Sequence, residues 1–163
     1  MTELQRLRPD HAEAVLDFEC VNRAYFAASI TDRGDEFFAH YDARHLALVA
    51  DQRAGRGAYH VLMGEDGSIT GRVNLIFVEP GVAELGYRVA EPAGGRGLAT
   101  WAVRELCRMA ASAYGVRTIR AATSLQNLAS QRVLTKAGFD PVGPAEPADL
   151  GGRPGTWYQR VLS

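Results

Sequence analysis

A glycine-rich run at residues 94–100, with the sequence GGRGLAT, separates a predicted strand from a long predicted helix. Glycines such as Gly95 and Gly97 allow successive backbone N–H groups to turn inward and form an anion-binding nest. The N-terminus of the following helix adds a partial positive charge, and Arg96 adds a full one. The run therefore predicts a strand–loop–helix unit that binds a phosphate or pyrophosphate group. A turn that only connects the two elements is the alternative.

The spacing of residues around this loop excludes two common phosphate-binding motifs. A P-loop needs a lysine directly after its last glycine, whereas Leu98 follows Gly97. A dinucleotide-binding GxGxxG motif needs a third glycine where Thr100 stands, and it belongs to a parallel βαβ unit. The strand before this loop instead ends a series of predicted antiparallel strands, so neither motif applies.

The order of the predicted elements indicates one mixed α/β domain over residues 1–163. Asp66 and Gly67 form a favoured tight-turn pair, which predicts a hairpin. Apolar residues recur at helical spacing from Leu98 through Leu106 and predict the helix after the glycine loop. Strands are expected at residues 4–8, 58–64, 69–78, 82–90, 116–124, 140–146 and 156–162. Helices are expected at residues 10–20, 35–53, 98–115 and 127–139, with a loop or broken helix at 22–33.

The bulk composition narrows the class of partner. The formal net charge is −1, which argues against nucleic acid because nucleic-acid-binding domains usually carry a basic surface. No apolar run reaches the length of a membrane span, and the first residues do not resemble a signal peptide. Cys20 and Cys107 are too few for a disulfide framework or a zinc site, and the histidines lack metal-ligand spacing. We therefore expect a cytoplasmic protein with no metal site and no membrane partner.

Asn127 and Ser130 open a predicted helix that ends near Gly138 and Phe139. Together with GGRGLAT, this segment, NLASQRVLTKAGF, resembles the paired motifs of the GNAT acetyltransferases, and more narrowly their RimJ/RimL-like branch of ribosomal-protein N-terminal acetyltransferases. The resemblance extends over the whole chain. It implies the GNAT fold, a mixed, mostly antiparallel sheet of six to seven strands flanked by about four helices. It also implies an acetyl-CoA-dependent N-acyltransferase that acts on a primary amine.

The resemblance assigns an acetyl-CoA site residue by residue. Gly97 and Ala99 match the last two positions of the family's first motif, whereas Gly94 stands where the family often carries a side chain near the pyrophosphate. Asn127 matches the asparagine that binds the pantetheine arm in the family, and it can also cap its own helix. The residues expected to bind acetyl-CoA are Tyr87, Val89, Gly94, Gly95, Arg96, Gly97, Leu98, Ala99, Thr100, Asn127 and Ser130.

Glu84 is the candidate catalytic base. It lies in the segment AELGYRV, which resembles the family strand whose glutamate assists amine deprotonation in several members. Strand alternation places it on the same face as Gly86 and Arg88. The alternative is a cross-strand ion pair with Arg72 or Arg88. Gly86 either leaves room for the pantetheine arm beside this strand or marks a β-bulge.

Ser130 is the candidate proton donor. Many family members place a tyrosine seven residues after the motif asparagine, but this chain has Leu134 there, which cannot donate a proton. In the RimJ/RimL-like branch a serine at the position of Ser130 is proposed to protonate the leaving thiolate. The alternative is a serine bonded to its own helical turn. Because the chain has no GxSxG motif and Cys107 lies on a predicted core stripe, we expect direct transfer without a covalent enzyme intermediate.

The resemblance also implies an acceptor that is an amine-bearing substrate, either a protein N-terminus or a small molecule. Asp32, Asp35 and Glu36 are candidates to receive the positive charge of that amine, although they also fit a solvated acidic loop. Two other functions stay open: a transferase of the same fold that uses another acyl group such as succinyl, and a non-catalytic acyl-CoA sensor. The oligomeric state is not indicated.

Overall fold

The computed structural model describes residues 2–163 and shows a seven-stranded sheet. The strands are β1 (Glu3–Arg6), β2 (Gly57–Met63), β3 (Ile69–Glu79), β4 (Val82–Val89), β5 (Thr118–Ser124), β6 (Asp140–Ala145) and β7 (Gly155–Val161). Their order across the sheet is β1-β2-β3-β4-β5-β7-β6. Neighbouring strands are antiparallel except β4 and β5, which are parallel. The expected mixed and mostly antiparallel sheet is confirmed.

Within residues 2–163, four helices of nine or more residues match the four expected from the sequence. Of two short helices of five residues, one lies in the segment expected as a loop or broken helix, and the other is the first part of the helix expected over residues 35–53. The helices are α1 (Ala12–Val21), α2 (Arg23–Ala27), α3 (Asp35–Ala39), α4 (Tyr41–Arg53), α5 (Leu98–Ala113) and α6 (Leu128–Lys136). The single helix expected over residues 35–53 is interrupted at His40, whose φ of −123° lies outside the helical range. None of the helices described at positions 2–163 is long and apolar enough to cross a membrane.

The sheet has an apolar core on each face because side chains on a strand alternate between faces. On one face, Leu62 and Leu75 pack with Leu106 of α5, and all three are completely buried. On the other face, Val61 packs with Phe18 of α1. Burial of one such side chain contributes about 1.5–3 kcal/mol. The strands between these two cores are therefore held rigidly, and they position the residues at their ends.

Strands β4 and β5 pair over only three residues and then separate. The paired residues are Val82 with Thr118, Ala83 with Ile119, and Glu84 with Arg120. In the described part of the chain, no pairing joins the remainder of β4 to the remainder of β5. The glycine loop leads from β4 into α5, and a short turn leads from β5 into α6. Because the two strands are parallel, the N-termini of both helices lie at the open end of this splay.

Candidate active site

A cleft of about 700 Å³ lies in the splay between β4 and β5. Its lining includes Gly86 and Tyr87 of β4, Thr123 of β5, and Asn127 and Ser130 at the start of α6. The volume lies within the range of about 300–1,000 Å³ that is typical of small-molecule sites. The structure thus brings three of the predicted site residues, Tyr87, Asn127 and Ser130, into one cleft.

The glycine loop has the backbone conformation of an anion-binding site. Gly95 has a φ of +74° and Gly97 a φ of +77°, which only glycine adopts readily. Gly97 is the N-cap of α5. The backbone N–H groups of Leu98, Ala99 and Thr100 lie in the first turn of that helix, where no carbonyl of the same helix can accept their hydrogen bonds. These donors and the helix dipole are available to a phosphate group.

The backbone at Gly94, where the chain departs from the family motif, lies close to two neighbouring atoms. A Cβ atom at Gly94 would lie 3.3 Å from the carbonyl oxygen of Glu91 and 3.4 Å from the hydroxyl oxygen of Tyr25. A side chain at this exposed position would therefore need small shifts of these neighbours. Arg96 is exposed, and Val89 is partly buried against the core. The loop residues lie outside the lining of the cleft, so only an extended ligand reaches both the loop and Ser130.

Ser130 is hydrogen bonded to Tyr87 across the cleft. Ser130 Oγ lies 2.7 Å from Tyr87 Oη, and Tyr87 Oη lies 3.2 Å from the Ser130 carbonyl oxygen. Within residues 2–163 the Ser130 hydroxyl makes no bond to its own helical turn, so that alternative is wrong. Burial raises the pKa of Tyr87 to about 12, although the bond to Ser130 opposes the shift. Tyr87 is therefore protonated at neutral pH and can donate to Ser130.

Asn127 caps helix α6 and also has a donor to spare. Its Oδ1 accepts a hydrogen bond of 3.2 Å from the backbone N–H of Ser130. Its Nδ2 has no hydrogen-bond partner among the residues that the structure describes. The N-cap role is thus confirmed, and the amide nitrogen can still bind a ligand in the cleft.

Glu84 lies at the closed end of the splay, as the last residue of β4 that pairs with β5. Its neighbours in register are Ile76 on β3 and Arg120 on β5. The alternative of an ion pair with Arg72 or Arg88 is wrong, because both arginines pair with the carboxylate of Glu19 instead. Glu84 is partly buried but is not in the lining of the cleft.

Gly86 faces open space in the cleft. It pairs regularly with Asn74, and the register shift between β3 and β4 falls at Phe77 and Glu79 instead. The β-bulge expected as an alternative at Gly86 is therefore wrong. A Cβ atom at Gly86 would meet no atom within 4 Å. The space that a side chain would occupy is available to a ligand.

Sequence reasoning missed a cluster of three arginines around Glu19. Glu19 is 1% exposed and lies 2.9 Å from Arg72, 3.0 Å from Arg88 and 3.2 Å from Arg33. Burial raises the pKa of Glu19, but the three guanidinium groups more than offset this effect and hold that pKa below its usual value. Burial lowers the pKa of Arg88 to about 10. The one sequence signal was the position of Glu19 on the apolar face of α1, next to the buried Phe18.

Two of the three acidic residues considered as receptors for the amine, Asp32 and Asp35, are already engaged. Arg23 binds Asp32 through Nη2 at 2.8 Å and binds Asp35 at 2.8 Å. Its hydrogen bond is the main reason that the pKa of Asp32 is lowered to about 2. Glu36 lies in the first turn of the short helix α3 and outside the cleft. None of these three acidic residues lines the cleft, so they do not give it a negative charge.

The structure agrees with a reaction that needs no enzyme nucleophile. Cys107 is 1% exposed in the core, and burial raises the pKa of its thiol. A protonated and inaccessible thiol cannot attack a substrate. Over the part of the chain that the structure describes, no three His, Cys, Asp or Glu side chains lie close enough together to hold a metal ion.

Comparisons with known proteins place this geometry in a family. Residues 2–140 match the family model described as the acetyltransferase (GNAT) domain. The probable N-acetyltransferase YjcK of Bacillus subtilis is 29% identical over 140 residues, which covers 82% of this chain and 77% of that protein.

Two solved structures have the same fold. The ribosomal-protein-S5-alanine acetyltransferase of Vibrio fischeri has a TM-score of 0.91 at 20% identity, covering 99% of this chain and 93% of that one. RimJ of Mycobacterium smegmatis in complex with CoA-disulfide has a TM-score of 0.86 at 22% identity, covering 98% of this chain and 81% of that one. The family match, the splayed seven-stranded sheet and the glycine loop agree, and this chain belongs to the GNAT acetyltransferase family.

Proposed function

We propose that this protein transfers the acetyl group of acetyl-CoA directly to the primary amine of a protein N-terminus or a small molecule. The observation that carries the proposal is the cleft between β4 and β5, which opens beside the glycine loop and contains the Ser130 hydroxyl. The names of the structural relatives support it, since they include an acetyltransferase of a ribosomal protein and a complex with CoA-disulfide.

The residues at the splay fit acetyl-CoA. Gly95 and Gly97 form a backbone nest for the pyrophosphate, and the Nδ2 of Asn127 is a free donor for the pantetheine arm. Beyond Glu84, β4 has no partner strand on the β5 side, so a pantetheine arm can lie there as an added strand and use the space at Gly86. Acetyl-CoA would supply an activated thioester.

Glu84 accepts the proton of the attacking amine in this proposal. Because Glu84 lies outside the cleft lining, we propose that it acts through a water molecule. Removal of that proton leaves a lone pair on nitrogen, which forms the new C–N bond as the C–S bond breaks. The nitrogen gives up a second proton as the amide forms, and the departing thiolate takes up a proton to become the CoA thiol. The paired strands at the closed end of the splay hold Glu84 in place.

Ser130 stabilises the leaving thiolate. In this proposal the single Tyr87 hydroxyl hydrogen is directed at Ser130 Oγ, 2.7 Å away, rather than at the Ser130 carbonyl oxygen, 3.2 Å away, so the hydrogen of Ser130 is free to bind the sulfur as negative charge develops there. No side chain becomes covalently modified. The buried Cys107 supports this direct route.

A cytoplasmic location is part of the proposal. Both cysteines are free thiols, with Cys20 exposed and Cys107 buried. Free exposed thiols are usual in reducing compartments.

A thiol-release assay with acetyl-CoA, succinyl-CoA and a panel of amines and peptides tests the function. We expect release of the CoA thiol with acetyl-CoA only when an amine acceptor is present. Release from succinyl-CoA in preference to acetyl-CoA would indicate the alternative acyl group. Binding of acetyl-CoA with no release for any acceptor would indicate a sensor and contradict the proposal.

A further inference from the structure

Three arginines surround the buried Glu19 on the same cleft that contains Ser130. Arg33, Arg72 and Arg88 all line this cleft, and each makes one hydrogen bond to the Glu19 carboxylate. Three guanidinium groups and one carboxylate leave two formal positive charges unmatched. A single carboxylate does not neutralise this cluster.

The arginines have donors that Glu19 does not use. A guanidinium group has five N–H donors, and in the described residues each of these three arginines gives one of them to Glu19. Arg72 is the most buried, with a side chain only 4% exposed, and its Nε is buried without any partner in residues 2–163. A buried donor without a partner costs free energy unless a ligand or water satisfies it.

The guanidinium groups are held in place by aromatic rings. Arg88 lies over the ring of Phe26 at 4.7 Å, and Arg33 lies over the ring of Phe37 at 4.9 Å. Stacking fixes the plane of a guanidinium group and its fork of donors. Such a preorganised fork binds the two oxygens of a carboxylate or a phosphate better than a mobile side chain does.

The cluster lies close to the proposed reaction centre. Arg88 is two residues from Gly86 on the same face of β4, a Cα separation of about 7 Å. The rest of the lining is also basic, since the whole cleft contains six arginines and two aspartates. A polycationic acceptor would be repelled, whereas an amine that carries a nearby anion would be attracted.

We infer that the acceptor carries an oxyanionic group, a carboxylate or a phosphate, within a few bonds of the acetylated amine, and that Arg33, Arg72 and Arg88 bind that group. This inference rests on the proposed function and specifies its acceptor. The amine of such an acceptor points toward Ser130, and its anion points toward the arginines around Glu19, of which Arg88 lies near the C-terminal end of β4.

Three tripeptide amides test the inference. They share an N-terminal serine and a C-terminal glycine amide and differ only in the middle residue, which is aspartate, asparagine or phosphoserine. We expect kcat/KM for the aspartate or phosphoserine peptide to exceed that for the asparagine peptide by about tenfold or more. The comparison of the two acidic peptides shows whether the anion is a carboxylate or a phosphate.

Among the three arginines, substitution of Arg33 should destabilise the fold least, because its side chain is 27% exposed and is the most accessible of the three. Arg33→Gln should raise KM for the acidic peptide by about tenfold. The substitution should leave kcat, the KM for the asparagine peptide and the affinity for acetyl-CoA nearly unchanged. Arg33→Lys should restore part of the effect, since it keeps the charge but loses the planar fork. The matched control is Arg108→Gln on the exposed face of α5, outside the cleft, which should change nothing.

A binding measurement separates this inference from the proposed function. Calorimetry with CoA and the N-acetylated forms of the same peptides needs no turnover. Tighter binding of the acidic forms supports the inference even if no peptide is acetylated, an outcome that would count against the proposed function alone. Equal binding and equal kcat/KM for the aspartate and asparagine peptides would overturn the inference, even if acetylation is rapid, and would make the arginines a structural cluster around Glu19.

Discussion

Tyr87 Oη and Ser130 Oγ lie 2.7 Å apart and join strand β4 to helix α6 at the cleft. A tyrosine hydroxyl has only one hydrogen, and a serine hydroxyl has only one. If Tyr87 donates to Ser130, the hydrogen of Ser130 is free to face the cleft. In the proposed reaction Tyr87 is then a positioning residue, which sets the direction in which Ser130 donates.

Replacing Tyr87 tests this positioning role. Tyr87→Phe removes the donor to Ser130 but keeps the aromatic ring, so we expect kcat to fall about five- to tenfold. The affinity for acetyl-CoA should change little, because the aromatic ring and the backbone of Tyr87, one of the residues expected to bind acetyl-CoA, stay in place. The matched control is Tyr114→Phe, which removes a hydroxyl bonded to His60 at 2.9 Å outside the cleft. An unchanged kcat in Tyr87→Phe would mean that Ser130 does not depend on this bond.

The pH dependence of Glu84→Gln tests the proposed base. A free α-amine has a pKa of about 8, so above about pH 9 it loses its proton without help. We expect the variant to lose about tenfold or more of its rate near pH 7 and much less at high pH. Glu79→Gln, an exposed glutamate on β3, is the control. A loss that is uniform across pH would assign Glu84 a structural role.

Glu19→Gln should destabilise the fold. The variant leaves three arginines around a neutral side chain, and the loss of one partner from a buried charge cluster costs about 3–5 kcal/mol. Urea denaturation at neutral pH measures this change in the free energy of unfolding. The control, Glu105→Gln, breaks an exposed pair with Arg108 and should cost no more than about 1 kcal/mol. A loss for Glu19→Gln that is as small as the control would contradict the account of this cluster.

The same cluster predicts a direction for acid unfolding. The arginines hold the pKa of Glu19 below its unfolded value, so the folded state binds its proton less readily. The stabilising contribution of ionised Glu19 is fully present above its pKa in the unfolded state, and it is lost as the pH falls through its pKa in the folded state. The stability of the wild type should therefore decrease in acid more steeply than that of Glu19→Gln.

Gly97→Val tests the anion site in the glycine loop. No atom lies within 4 Å of a Cβ at Gly97, but the φ of +77° is strained for valine, at a cost of about 1–2 kcal/mol. We expect the affinity for acetyl-CoA to fall strongly, because the backbone nest is distorted. Gly67→Val imposes the same strain, at a φ of +84°, in the hairpin turn between β2 and β3. Equal acetyl-CoA affinity in these two variants would count against the loop as the pyrophosphate site.

Local signals in the sequence were sufficient to predict the glycine loop and the two helices that flank the cleft. Gly97 and Asn127 are the N-caps of α5 and α6. Capping of a helix depends only on residues that are neighbours in the sequence, so it can be predicted from the sequence. The break at His40 was missed, since the apolar spacing continues past it from Phe38 to Tyr41. Periodicity alone does not detect a change in backbone angle at one residue.

The contacts that define the chemistry depend on the sheet instead. Tyr87 and Ser130 are 43 residues apart, and Glu19 is 69 residues from Arg88. Arg72 and Arg88 meet because they are opposite each other in the register of β3 and β4. A single sequence does not fix that register, so neither the hydroxyl pair nor the arginine cluster could be predicted from the printed residues.

The central claim is acetyl transfer at this cleft with Ser130 as the donor to the leaving thiolate. It is tested most directly by measuring both kcat and the affinity for acetyl-CoA in Ser130→Ala. Alanine keeps the backbone N–H that Asn127 caps, so the fold of α6 and the cofactor site should persist. The control is Ser112→Ala, whose hydroxyl is bonded to its own turn of α5. We predict that kcat falls by about 10²–10⁴ while acetyl-CoA binds with nearly unchanged affinity. A near-normal kcat, or a defect confined to acetyl-CoA binding, would contradict the role of Ser130 as the donor to the leaving thiolate.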